Sequence, residues 1–147
     1  MKVKERFKTL QQIYPSTTHP YQFELNKDFN FSAAHHIPCE EAGICQNVHG
    51  HTYFVNLTIV GDKLDNTGFL VNFSHLKKMI HGKFDHQLLN NLPAFKNKIP
   101  STEIVAETIY QIVKENLASL EHQPKCIQVF VRETPTSYVV FRPKEQV

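Results

Sequence analysis

The sequence predicts an α+β fold in which helices cover one face of an antiparallel sheet, and three observations carry that expectation. Apolar residues alternate with polar ones in two early stretches and again in a closing pair. One long apolar stripe at helical spacing lies between them. The order is two strands, helices, then two strands, without the strict alternation of strand and helix that a parallel sheet requires. At 147 residues the chain has the length of one domain. Lys+Arg 16 against Asp+Glu 14 leaves a net charge of +2. That balance argues against binding nucleic acid or an anionic membrane through bulk charge.

The elements follow in order. Residues 1–20 read as a polar lead-in, with Pro15 and Pro20 opposing a helix, and residues 21–147 as a single domain. Phe23, Leu25, Phe29, Phe31 and Ala33 share one parity and predict a half-buried strand. Pro38, Gly43 and a Glu pair mark 39–47 as a loop. Tyr53, Val55, Leu57 and Ile59 form the apolar face of a second strand, with Asn56 and Thr58 opposite. Asp62, Asp65 and Asn66 supply turn chemistry between Gly61 and Gly68, and Gly68–Phe73 is expected to continue a hairpin. Ser74 is expected to cap a short helix carrying Leu76, Met79 and Ile80. Val105, Ile109, Ile112, Val113, Leu117 and Leu120 define a long helix from about Ser101 to Leu120, stopped by Pro124. Cys126–Glu133 and Tyr138–Arg142 form the final hairpin, joined through Thr134–Ser137. A small sheet of this kind has exposed edges, which oligomerisation would cover.

No stretch approaches the roughly 18 apolar residues of a spanning helix, and the basic start lacks the apolar core of a secretory signal. The expectation is cytoplasmic residence and no membrane partner. Three cysteines, Cys39, Cys45 and Cys126, then stay free rather than forming a disulfide framework, and Cys126 reads as a small buried hydrophobe.

Nine histidines are the compositional excess. His49-Gly50-His51 leads into the second strand with both imidazoles on the face of Tyr53 and Val55, and His35 shares parity with Phe31 and Ala33 on the first. If the strands pair, three imidazoles converge, the ligand set of a catalytic zinc site with an open fourth position. His19, His75, His81 and His122 read as solvated, and His36 lies on the face opposite His35. Cys45, four positions before His49, reads either as a fourth ligand or as a nucleophile or base. Asp85-His86 pairs a carboxylate with an imidazole, the types that relay a proton. Glu133 shares parity with Val129 and Val131, and a carboxylate on a packed face needs a partner: a ligand with paired N–H donors or a structural network.

Phe31-Ser32-Ala33-Ala34-His35, Cys45-x3-His49-Gly50-His51, Phe84 to Asn90, Pro100-Ser101-Thr102-Glu103 and Arg132-Glu133-Thr134 occur in that order. Together they closely resemble the 6-pyruvoyl-tetrahydropterin synthase superfamily and, within it, the bacterial 6-carboxytetrahydropterin branch of queuosine biosynthesis. The resemblance spans about Tyr21 to Pro143. It implies a tunnelling fold: a four-stranded antiparallel sheet with two helices per subunit, assembled as a hexamer or tetramer with active sites at subunit interfaces. It implies Zn²⁺ on His35, His49 and His51, and proton transfer by Cys45, Asp85 and His86. It implies a pterin anchored by Glu133 beside Thr134, with Thr102 and Glu103 in the pocket segment. The implied reaction converts 7,8-dihydroneopterin triphosphate to 6-carboxy-5,6,7,8-tetrahydropterin, releasing acetaldehyde and triphosphate. Asn72, His36 and Ser101 depart from the frequent Asp, Arg and Thr of the family pattern. Two rivals share the motifs: the sister synthase, which eliminates triphosphate but keeps the side chain, and a non-enzymatic zinc-stabilised module with Cys45 as fourth ligand.

Overall fold

Alternation governs the first half of the chain. In the computed structural model, which describes residues 13–144, β1 (Phe23–His35) and β2 (His49–Gly61) pair antiparallel over their whole length. The register runs from Phe23 opposite Gly61 to His35 opposite His49. Phe29, Phe31, Ala33, Tyr53, Val55, Leu57 and Ile59 all point to one buried face. A slip of one residue would turn every one of them outward, so burial fixes the register.

β4 (Lys125–Thr134) pairs with β2, and β5 (Ser137–Phe141) with β4. These four strands make the expected antiparallel sheet. A fifth, the two-residue β3 (Gln87–Leu88), adds to the outer edge of β1 in parallel, giving the order β3-β1-β2-β4-β5. Two residues carry no readable alternation.

Two helices cover the apolar face. α1 (Phe73–Phe84) buries Leu76, Ile80 and Phe84, spaced four apart. α2 (Thr102–Leu117) buries Val105, Ala106, Ile109, Val113 and Leu117. Stacked and edge-on rings link sheet to helix: Phe31 lies 5.0 Å from Tyr53 and 5.4 Å from Phe84, which lies 5.5 Å from Phe95. Among the described residues no helix is long and apolar enough to cross a membrane.

Five local expectations change. Gly68–Phe73 does not continue a hairpin: Leu70 and Val71 are buried, but the Leu70 carbonyl accepts from His122 Nε2 at 2.6 Å rather than from a ladder. His122 is therefore partnered and not solvated. The cap of α1 is Asn72, whose Oδ1 accepts from the Ser74 N–H at 3.0 Å and its hydroxyl at 2.7 Å. The loop before β2 contains a 3-10 turn from Glu40 to Gln46, and α2 ends at Leu117, leaving Leu120 packed beyond it. Of the lead-in, residues 1–12 lie outside the described residues. The part that follows packs on the polar face of the sheet, with Pro15 O accepting from Gln128 Nε2 at 2.6 Å.

Candidate metal centre and proton-transfer pair

The β1–β2 register places the histidines. His35 ends β1 directly opposite His49, and His51 stands opposite Ala33. Their ring centroids are 4.5, 5.0 and 4.9 Å apart pairwise. His35 is 2 % exposed.

On two of the three rings Nδ1 is already engaged. His35 Nδ1 lies 2.7 Å from the Pro100 carbonyl, and His49 Nδ1 lies 2.8 Å from the Asn47 carbonyl. A carbonyl only accepts, so each ring carries its hydrogen on Nδ1 and leaves Nε2 with a free lone pair. The Tyr53 hydroxyl, in a fully buried side chain, approaches His35 Nδ1 at 3.2 Å from beneath.

Glu133 completes the group. It continues the inward parity of Val129 and Val131 and sits unpaired where the β4–β5 register shifts between Arg132 and Thr134. A bulge of this kind re-aims a side chain. Glu133 Oε1 lies 2.8 Å from His51 Nε2 and 3.2 Å from His35 Nε2, while Oε2 accepts from the Thr102 hydroxyl at 2.7 Å. Despite these short distances, neither His35 Nε2 nor His51 Nε2 makes a hydrogen bond of proper geometry, and both are buried. One ligand atom from each of His35, His49, His51 and Glu133 lies within 4.8 Å of every other. Unsatisfied, buried, lone-pair-bearing atoms gathered around one point are what a metal cation satisfies. The donor set fits a divalent ion of the zinc type.

The electrostatics follow from the crowding. The His35 imidazole, with Thr102 and His51, holds the Glu133 carboxyl at about 2 against the opposing effect of burial. Burial pushes His35 down, but the Glu133 carboxylate and the Pro100 carbonyl outweigh it and raise it. Burial lowers His51, and repulsion from its two neighbours adds to that. Burial raises the Tyr53 phenol far above its ordinary value, keeping it neutral.

Asp85 and His86 stand at the outer edge of β1. Asp85 Oδ1 accepts from the Ser32 N–H at 2.8 Å, and the His86 N–H donates to Ser32 O at 2.6 Å. His86 takes a left-handed backbone, φ 59°, which a non-glycine residue adopts only where its surroundings enforce it. Its Nε2 lies 3.4 Å from Asp85 Oδ2 and its side chain is 84 % exposed. His51 and His86 line the same open groove of about 550 Å³, with Ser32, Gly50, Thr52 and Gln87.

The remaining expected residues divide. Cys45, half-buried in the 3-10 turn, is outside the four-ligand group, so Glu133 and not Cys45 stands beside the imidazoles. Among the described residues no hydrogen bond joins Cys45 to Asp85 or His86. Thr134 Oγ1 accepts from the Thr136 N–H at 3.3 Å and serves the turn. Glu103 is exposed in the first turn of α2, where a carboxylate complements the helix N-terminus. His36 is held by its backbone: its N–H donates to Asn90 Oδ1 and its carbonyl accepts from Asn90 Nδ2, both at 3.0 Å. Cys126 is buried, its thiol pushed up to about 12. The sequence reading named Tyr53 and Pro100 but not their contacts with His35. For Tyr53 a signal existed, since it follows His49 and His51 on the same parity.

The 6-pyruvoyl tetrahydropterin synthase family profile matches residues 24–144, nearly the whole chain. This chain belongs to that family. The 6-carboxy-5,6,7,8-tetrahydropterin synthase of Bacillus subtilis is 60% identical over 92% of this chain and 96% of its own length. The Synechocystis protein of the same name is 31% identical over 62% of this chain and 74% of its own. The solved structure of Caenorhabditis elegans 6-pyruvoyl tetrahydropterin synthase, 24% identical, superposes with a TM-score of 0.69 over 83% of this chain and 96% of that one. The 6-pyruvoyl tetrahydropterin synthase family fold thus accounts for the sheet and its two helices, and the chain is an enzyme of the pterin synthase type.

Proposed function

We propose that the protein is a zinc-dependent 6-carboxy-5,6,7,8-tetrahydropterin synthase of queuosine biosynthesis. The substrate is 7,8-dihydroneopterin triphosphate, which with one water gives 6-carboxytetrahydropterin, acetaldehyde and triphosphate. The observation that carries this reading is the convergence of His35, His49, His51 and Glu133 on one point in a chain 60% identical to a protein of that name.

His35, His49 and His51 hold the metal through Nε2. Bound Zn²⁺ supplies a Lewis acid that lowers the pKa of the substrate's side-chain hydroxyls. Glu133 anchors the pterin ring through the ring's N–H donors, with Thr102 fixing the carboxylate by donating to Oε2. Because Oε1 lies within 3.2 Å of two histidines, ring and side-chain hydroxyls are bound within one substrate length. Cys45 Sγ moves a proton at the ring, and His86, oriented by Asp85, takes and returns protons at the side chain. Asp85 and His86 lie at an open sheet edge, so a neighbouring subunit completes the site in an oligomer, expected to be a hexamer or tetramer.

The test is to incubate zinc-loaded protein with 7,8-dihydroneopterin triphosphate and identify the products by mass. The expected result is a 6-carboxy product with acetaldehyde. A product retaining the three-carbon side chain would assign the sister activity instead. Cys45→Ala is expected to lose at least about a hundredfold in turnover, and unchanged turnover would remove the cysteine from the mechanism.

A further inference from the structure

His81 has no part in the site described so far, yet it touches it. It lies in the last turn of α1, and its carbonyl accepts from the Asp85 N–H at 3.0 Å, closing the helix. Residues four apart on a helix face one another. His81 Nε2 accordingly lies 3.5 Å from Asp85 Oδ2, the oxygen that His86 Nε2 reaches at 3.4 Å. One carboxylate oxygen therefore sits between two imidazoles, while the Ser32 N–H occupies the other oxygen.

We infer that His81 is a positioning residue: it holds the Asp85 carboxylate from the helix side, and its charge state sets how strongly Asp85 supports a proton on His86. The inference rests on the reading of Asp85 and His86 as proton-moving groups. His86 is 84 % exposed with its backbone in the left-handed region, and Asp85 Oδ2 stands 3.4 Å from its Nε2. Whatever fixes Asp85 fixes His86. The Ser32 amide is neutral and cannot respond to pH. The cations acting on Asp85 are His86, His81 and, one turn earlier on α1, Lys77. Of these, two are imidazoles, the side-chain type whose charge answers to pH near neutrality. Two imidazoles on one carboxylate oxygen compete for its charge, so their protonation steps are coupled. A proton on His81 spends part of the Asp85 charge and disfavours a proton on His86.

The experiment follows the His86 imidazole by NMR across pH in the full-length protein, alongside kcat and KM, for wild type, H81L, H81Q and H86A. Leucine removes both contact and charge; glutamine keeps an N–H donor without titration. In H81L the His86 midpoint is expected to move up and its curve to become single-step, with kcat reduced roughly tenfold and KM within about twofold. H81Q is expected to recover most of kcat while keeping the single-step curve. A merely structural His81 would alter stability and leave the His86 titration where it is. An identical His86 titration in wild type and H81L overturns the coupling, and normal turnover by H81L beside an inactive H86A overturns the positioning role alone. Full turnover by H86A overturns the proton-relay reading itself.

Discussion

Which ring nitrogen is spoken for decides what each histidine can do. Backbone carbonyls at Pro100 and Asn47 take Nδ1 of His35 and His49, and this frees Nε2 for a cation. Glu133 shows the reverse logic. Its carboxyl falls from the ordinary 4.5 to about 2, chiefly through His35 and also through Thr102. A carboxyl lowered on folding stabilises the native state fully above its unfolded value, and that contribution is lost as pH falls through the folded value. The metal-free protein is therefore expected to lose stability between about pH 4.5 and about pH 2. Thr102→Val should raise the Glu133 midpoint and move the onset of acid unfolding to higher pH, read by circular dichroism. An unchanged acid limb would show that the Thr102 hydroxyl does not hold the carboxylate.

Elements bring such residues into range. The parity of His35, His49 and His51 is a property of strands, and it was legible because each lies in phase with the apolar residues of a 13-residue strand. The helix stripe of α2 was legible for the same reason. What escaped were elements set by single distant bonds. β3 exists because Ser32 binds Asp85 and His86, 53 and 54 positions away, and two residues show no period. The Gly68–Phe73 stretch looks apolar enough for a strand, but Asn72 caps α1 and His122 takes the Leu70 carbonyl, so no ladder forms. Asn72→Ala should cost about 1 kcal/mol in urea unfolding, since it strips the acceptor from the first turn of α1. A loss of a few tenths or less would mean that Ser74 or water substitutes for the cap.

For the molecule as a whole, the site stands at one end of a sheet whose core is held by other residues. Phe31, Tyr53, Leu57, Ile80, Ile109 and Val129 are fully buried without help from an ion. Metal removal should therefore leave the circular dichroism spectrum unchanged and lower Tm by the binding linkage alone. Unfolding on chelation would restore the zinc-stabilised module as the better reading. The sheet is open, with β5 at one edge and only two residues of β3 covering the other. Light scattering in solution is expected to give a mass several times the 17.0 kDa of one chain, and a monomer would separate this chain from the proposed interface.

The amino-acid sequence by itself determined the fold class, the facing of the three histidines, the long helix and the burial of Cys126. Each is written in a local period or in a residue's own chemistry. The tertiary structure alone decided that Glu133 joins the histidines, that Pro100, 65 positions from His35, sets its ring nitrogen, and that Ser32, 53 positions from Asp85, takes one oxygen of its carboxylate. These contacts depend on where chain segments far apart in sequence finish after packing. No spacing along the chain encodes them.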